Sequence, residues 1–323
     1  MTTNDPDQQF SAGTVEDGAR LTRLLPPDFT GEGKKSGHGT VAWLPAPDTE
    51  MPAVPWQPQR PPVIALLDSG VRPHHWLPAG GDPQFVVNAT EYGWAAPDLV
   101  QPLPPPGLHP ANKFYGSHYG HATFIAGLIR LAAPDARVLS MQVMNNAGKV
   151  RQEDVVHALE WLAGHPETGV DIVLMAFGRQ ANPGDADLDD IRKAITGLSG
   201  ARIVCSAGND DSDRTVYPAA FAAEASLRVV SVGAFTTPTE RAPYSNFGPW
   251  VQEWRRGTSL VSTMPLTTSG IGKSQLTDRA TAVLFDVDEG SGYAWWSGTS
   301  FAAALYAAEL ARQTRQARAS RSR

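Results

Sequence analysis

Cysteine is almost missing from this chain: Cys205 is the single one in 323 residues, so no internal disulfide can form and a reducing compartment suits it. Long apolar runs are missing as well, and none approaches the ~20 residues that a membrane helix needs. The first residues, Met1-Thr2-Thr3-Asn4-Asp5-Pro6-Asp7, are polar and acidic with no apolar stretch behind them, which predicts no secretory signal. Positive charge is not in excess. Against 33 acidic residues stand 27 Lys and Arg, a net charge of −6, so nothing electrostatic favours nucleic acid as a partner. Together these absences predict a soluble cytoplasmic protein without membrane or nucleic-acid partners.

What is present is enough to fold. Hydrophobic residues make up 41% and charged ones 19%, ample for one large α/β domain or two small ones. Residues 1–60 are irregular, with Pro45, Pro47, Pro52, Pro55, Pro58, Pro61 and Pro62 closely spaced in and just after their second half. Proline at that density excludes helix and central strand, which predicts an extended connector. Order is expected over 61–311, followed by a basic tail at 312–323 read as a fraying, solvated helix end. Within the domain, the apolar run Val63-Ile64-Ala65-Leu66-Leu67 lacks alternation, as in a strand covered on both faces. Further strands are expected at 138–143, 171–175, 202–206 and 229–232. Helices are expected from His121 and over 152–163 and 188–198. That alternation predicts an α/β fold, doubly wound, with a mainly parallel sheet and helices on both faces. The Pro/Gly-rich excursion from 73 to 119 reads as a long loop.

Chemistry concentrates near the carboxyl end. Ser297-Gly298-Thr299-Ser300 runs into the Ala/Leu-rich segment Phe301 to Leu310, so Ser300 should sit in the first turn of a helix. Unpaired backbone N–H groups and the positive helix end favour a developing oxyanion there. The bland alternative is a serine that merely caps a helix. A second Gly-Thr-Ser, Gly257-Thr258-Ser259, leads into a strand-like run and serves as a built-in control. A nucleophilic serine needs a base and a carboxylate behind the base. His121 opens a helix after Gly120, and Asp68 ends the first central strand. Asn209, after the strand through Val204, carries an amide able to donate to an oxyanion, or is simply a turn residue.

The four stretches Leu67-Asp68-Ser69-Gly70, Gly120-His121-Ala122-Thr123, Ser206-Ala207-Gly208-Asn209 and Ser297-Gly298-Thr299-Ser300 resemble the signatures of the subtilisin-like serine peptidases, the subtilases. The order Asp, His, Ser also matches. Val216-Tyr217-Pro218, Arg228 to Ala234 and Tyr244-Ser245-Asn246-Phe247-Gly248 look like family segments too. The resemblance implies a serine endopeptidase with Ser300 as nucleophile, His121 as general base and acid, and Asp68 as its orienting carboxylate. It implies an oxyanion hole from the Asn209 side chain and the Ser300 amide. It also implies that an extended peptide or protein substrate inserts between the edges Ala147-Gly148-Lys149 and Ala176-Phe177-Gly178, with Val216 at the base of the main specificity pocket.

Departures from the family pattern are visible. Ala122 stands for a glycine, Phe124 for a second histidine, Phe301 for a methionine, Ala304 for a proline, and Arg255-Arg256-Gly257 for Ala-Pro-Gly. The family's calcium-binding loops have no recognisable counterpart, so no metal and no cofactor is expected. Two rival readings remain. The crowding of His74, His75, His109, His118 and His121 suggests a metal-dependent hydrolase, though no His-Glu-x-x-His occurs. The altered helix suggests a catalytically impaired peptide-binding module on a peptidase scaffold. Intracellular subtilases resemble one another in a short amino-terminal extension with a proline-containing apolar motif, and Leu24-Leu25-Pro26-Pro27 is read as such a self-inhibitory segment.

Overall fold

A computed structural model of the chain describes residues 42–43, 60–79, 84–97, 118–185, 188–198, 200–265 and 292–321. In chain order the strands are β1 (Ala42–Trp43), β2 (Val63–Asp68), β3 (Val86–Asn88), β4 (Arg137–Gln142), β5 (Ile172–Met175), β6 (Arg179–Gln180) and β7 (Arg202–Ser206). They continue with β8 (Val216–Tyr217), β9 (Val229–Thr237), β10 (Glu240–Arg241), β11 (Glu253–Arg256), β12 (Leu260–Thr263) and β13 (Tyr293–Trp296). Four α-helices are described: α1 (His121–Ala132), α2 (Gln152–Gly164), α3 (Leu188–Gly197) and α4 (Thr299–Arg321).

The main sheet runs β10-β9-β7-β5-β2-β4-β3, parallel except at β10, with β11 added in parallel to β9. β2 lies in its interior, between β5 and β4, because its apolar run is buried at every position. Its alternate residues face opposite ways. Ile64 and Leu66 join the cluster formed with α1 and α4, while Val63, Ala65 and Leu67 join the cluster formed with α2 and α3. The sheet is therefore doubly wound, with helices on both faces. The chain order reverses across β2, with β4 on one side and β5 on the other. In such sheets the crevice outside the strand carboxyl ends at the reversal is where ligands bind. Asp68, Gln142 and Ala176 all stand at those ends.

α4 runs beneath the sheet, and the small side chains of Ala302, Ala303, Ala304, Ala307, Ala308 and Ala311 are buried there. With Ala304 in place of proline, nothing removes a backbone bond, and the helix continues unbroken for 23 residues. The basic residues expected as a solvated, fraying end are its last turns. Arg315 pairs with Asp135 and Arg318 with Asp171, which tie that end to the body. The excursion expected to be loop throughout carries β3, which extends the sheet beyond β4. A small second sheet, β1-β13-β12, is antiparallel. In it β1, from the amino-terminal extension, pairs with the strand that leads directly into Ser297. The segment Leu24-Leu25-Pro26-Pro27 lies outside the described residues, as does His109. No described helix is long and apolar enough to cross a membrane.

Candidate active site

His121 is the first residue of α1, and three separate contacts fix that helix start. Ser69 Oγ accepts from the Ala122 amide at 3.3 Å, supplying one of the acceptors a helix amino terminus lacks. Ser262 Oγ and Thr263 Oγ1 of β12 donate to the carbonyls of Phe124 and Thr123 at 2.7 and 2.8 Å. β12 approaches so closely because position 127 is glycine: a Cβ there would lie 2.2 Å from Ser262 Oγ. Gly120 is required for a similar reason, since its Cβ would lie 2.5 Å from the Met264 methyl. Held this way, His121 Nδ1 donates to both carboxylate oxygens of Asp68, at 3.0 and 2.9 Å. Both side chains are buried, at 4% and 0% exposure. The carboxylate also accepts the Ser69 amide at 2.6 Å, which ties it to the turn after β2. An imidazole so clasped has its Nδ1 proton fixed, leaving Nε2 as the basic nitrogen.

Ser300 lies in the first turn of α4 and is 7% exposed. Its hydroxyl donates to the Ala176 carbonyl at the end of β5, at 3.1 Å. Beside it, Asn209 Oδ1 accepts from both the amide and the hydroxyl of Thr299, at 2.8 and 2.9 Å. That double acceptance leaves the Asn209 amide nitrogen as the end of the side chain available to a ligand. The same Thr299 hydroxyl accepts from the Gly208 amide at 3.1 Å, so the loop after β7 and the start of α4 are locked together.

Behind this loop sits Asn246, fully buried. Its Oδ1 accepts from the amides of Asp210 and Ser212 at 2.9 and 3.1 Å, and its Nδ2 donates to Ala207 O at 3.0 Å. Gly208 has φ of +100°, and a Cβ on it would lie 2.5 Å from Asn246 Nδ2, so the loop needs glycine there twice over. In the sequence Asn246 stands in a family-like segment with no task attached to it. Its signal was weak, because an Asn beside Ser and Gly reads first as a turn former.

The control serine is explained. Ser259 occupies the turn before β12 with φ of +51°, and its amide donates to Ser297 Oγ at 2.9 Å. The Gly298 amide donates to Gly257 O at 2.8 Å, so the two Gly-Thr-Ser stretches lie side by side, one bracing the other.

The crowded histidines separate into two groups. His74 and His75 stack at 4.3 Å, with His75 Nε2 2.8 Å from the Tyr293 hydroxyl. His118 lies beside His121, ring centres 5.2 Å apart. Among the described residues no cluster of His, Cys, Asp or Glu is arranged to hold a metal.

Two of the departures prove to be one feature. Phe124 and Phe301 pack on each other at 4.5 Å, and both pack on Trp296, at 5.8 and 5.1 Å. Trp296 and Phe301 in turn flank the His121 ring at 5.5 and 5.6 Å. Replacing a histidine and a methionine together has built a continuous aromatic wall behind the imidazole. A third departure, Arg255, reaches Glu309 of α4 at 2.8 Å and Glu253 at 3.0 Å while stacking over Tyr306. It ties β11 to the helix that carries Ser300.

The expected substrate edges differ from each other. Ala147-Gly148-Lys149 is the tip of a small hairpin closed by the Met144–Val150 bridge. All three of its amides are engaged by Asn145: those of Ala147 and Lys149 by the side chain, at 3.0 and 2.9 Å, and that of Gly148 by the carbonyl, at 2.9 Å. It is therefore not an open strand offering donors. Ala176-Phe177-Gly178 follows β5 directly. Val216 of β8 is buried between two glycines, its methyls 2.5 Å from a Cβ built on Gly178 and 3.5 Å from one built on Gly208.

A model of the "Subtilase family" of peptidases matches residues 59–321. The chain belongs to the subtilase family. Among curated relatives, the minor extracellular protease Epr of Bacillus subtilis is 26% identical over 234 residues, covering 68% of this chain and 31% of that protein. The major intracellular serine protease of the same organism is 28% identical over 163 residues, covering 45% of this subtilase and 47% of its own length. This subtilase thus spans about a third to a half of the length of those two relatives. Among solved structures, a lanthipeptide protease superposes with a TM-score of 0.55 at 20% identity, covering 77% of this chain and 72% of that one. At that identity the likeness speaks for the fold.

Proposed function

We propose that this subtilase is a serine endopeptidase that hydrolyses peptide bonds through an acyl-enzyme. The observation that carries the reading is the buried Asp68–His121 pair, because an imidazole clasped on Nδ1 at the carboxyl end of a central strand is poised to act as a base. In this mechanism Ser300 turns its hydroxyl from the Ala176 carbonyl to His121, which takes the proton as Oγ attacks the substrate carbonyl. The oxyanion is met by the Asn209 amide and the Ser300 N–H. His121 then protonates the leaving amine, and water repeats the sequence to release the acyl group. Asp68 keeps the imidazole in one tautomer and stabilises the imidazolium.

The substrate lies extended between the Asn145–Lys149 hairpin and Ala176–Gly178. With the hairpin amides engaged, pairing on that side runs through the carbonyls of Ala147 and Gly148. Val216 forms the floor of the specificity pocket, and its branched side chain favours medium apolar residues over aromatic ones. Val216→Gly is therefore expected to shift kcat/KM toward Phe or Tyr before the cut by about tenfold or more, the scale on which apolar pockets discriminate. A peptide library read with both enzymes checks this, and an unchanged preference would remove Val216 from the pocket.

We place the enzyme in the cytoplasm, supported by its single cysteine, which is buried at Cys205 and whose thiol burial pushes well above the ordinary range. Recovery of its activity from culture medium instead of cell extract would overturn that placement.

The second reading, a peptide-binding module without turnover, is favoured by one observation: the Ser300 hydroxyl is bonded to Ala176 O, not to His121. A fluorophosphonate probe separates the two. Rapid labelling that maps to Ser300 supports the peptidase; a protein that binds peptide but resists the probe supports the module.

A further inference from the structure

Arg72 follows the turn after Asp68 and is almost wholly enclosed, 4% exposed. Its backbone is fixed by the Arg72 amide donating to Thr123 Oγ1 at 3.0 Å and the Val71 amide donating to Ser140 Oγ at 3.0 Å. The guanidinium stacks over the Tyr119 ring at 4.6 Å, and Nη2 donates to Asn146 Oδ1 at 3.2 Å. Nε and Nη1 are buried without a partner, and among the described residues no carboxylate pairs with this cation. Burial drives its pKa down from the ordinary value, with Tyr119 acting the other way.

Arg72 lines a recess of about 310 Å³ together with Gly70, Asn88, Trp94, Ser140 and Gln142. Two of these neighbours carry buried donors in the same condition: Trp94 Nε1 and Gln142 Nε2 have no partner either. Guanidinium and indole N–H groups can only donate, and the glutamine amide presents its NH₂. Four unmatched donor atoms, buried in three side chains that line one recess, call for an acceptor, and the enclosed positive charge calls for an anion. Apart from Thr90, the remaining wall, with Val71, Leu77 and Val86, is apolar. A single cation among neutral donors matches one negative charge, as on a carboxylate, better than the nearly two of a phosphomonoester. The apolar wall suits a short methylene stem behind that charge.

We propose that Arg72, Trp94 and Gln142 form a carboxylate-binding subsite, distinct from the Ser300 cleft and coupled to it. The coupling is covalent and short. Gly70 is two residues from Asp68, Tyr119 is two from His121, and Asn146 immediately precedes the Ala147–Lys149 edge. The carboxylate comes either from a Glu or Asp side chain of the peptide substrate, which rests on the peptidase reading above, or from a free short-chain acid.

Titration calorimetry of butyrate, one carboxylate on a short stem, into the full chain tests the subsite without calling on turnover. Butyrate is expected to bind and neutral butyramide is not. Arg72→Met and Gln142→Met should each weaken butyrate at least tenfold; Gln142→Met removes one donor with little change of shape, should Arg72→Met fail to fold. Glu/Gln-scanned peptides then separate the sources. A Glu preference of tenfold or more at one position, lost in Arg72→Met, assigns the carboxylate to the substrate; butyrate binding with no position preferring Glu assigns it to a free acid. Butyrate binding in a protein that never turns over would sink the peptidase reading and leave the subsite standing. If neither butyrate nor any Glu-bearing peptide distinguishes the wild type from both variants, the subsite does not exist.

Discussion

Ser300→Ala and His121→Ala should each reduce kcat on a peptide substrate by on the order of 10⁶, the scale on which a serine peptidase depends on its nucleophile or base. The two losses should not add in the double variant, because either change alone ends the shared proton transfer. Ser259→Ala supplies the control. Its backbone amide, not its hydroxyl, makes the bond to Ser297, so that variant should stay within a few-fold of wild type. Steady-state kinetics on one fluorogenic peptide are sufficient. Should Ser259→Ala prove as damaging as Ser300→Ala, the nucleophile has been assigned to the wrong Gly-Thr-Ser.

The second large effect separates two asparagines with different tasks. Asn209→Asp keeps the oxygen that accepts from Thr299, so α4 stays capped, but it removes the amide donor and sets a negative charge beside the developing oxyanion. Turnover should fall by at least 10²–10³, the usual cost of one oxyanion donor, with a melting temperature within about 2 °C of wild type. Asn246→Ala acts through the loop instead. It strands the amides of Asp210 and Ser212 and the carbonyl of Ala207, at a cost of about 3 kcal/mol. For a domain of this size that corresponds to a melting temperature lower by about 5–10 °C, together with reduced turnover as Asn209 loses its fixed position. Lost turnover without lost stability in Asn246→Ala would mean that the residue does not hold the loop.

Much of the architecture was legible because it rests on signals that one stretch carries by itself. The run at 63–67 is apolar at every position, as in a short strand covered on both faces. The Ala/Leu-rich segment after Ser300 has nothing in it that breaks a helix. Asp68, His121, Asn209 and Ser300 could be read as a set only through the resemblance of their four stretches to subtilase signatures, since each by itself passes for a cap or a turn residue. What escaped depends on partners remote in sequence. β3 is three residues in a proline-rich stretch, and only pairing with β4 makes it a strand. The end of α4 was read as fraying because nothing in 312–323 shows that Asp135 and Asp171 wait beside it. Nothing in the sequence around Arg72 marks it out, because its enclosure follows only from Tyr119 and Asn146 folding over it. The aromatic wall was seen as two separate departures, since Phe124 and Phe301 are far apart in the chain.

The pairing of Ala42 and Trp43 with β13 bears on how this protein is to be shortened in the laboratory. β13 is the middle strand of its sheet, flanked by β12 on one side and β1 on the other. A boundary placed at residue 60, where the main domain begins, strips one neighbour away and leaves a tyrosine- and tryptophan-bearing strand with unmatched N–H and C=O groups. Such an edge invites pairing with another copy. A variant cut there would come out of expression prone to self-association, and its loss of activity would be mistaken for evidence about the extension. A cut made before Ala42 removes Leu24 to Pro27 and keeps the edge covered, so the inhibitory role read for that segment can be judged on a monodisperse enzyme.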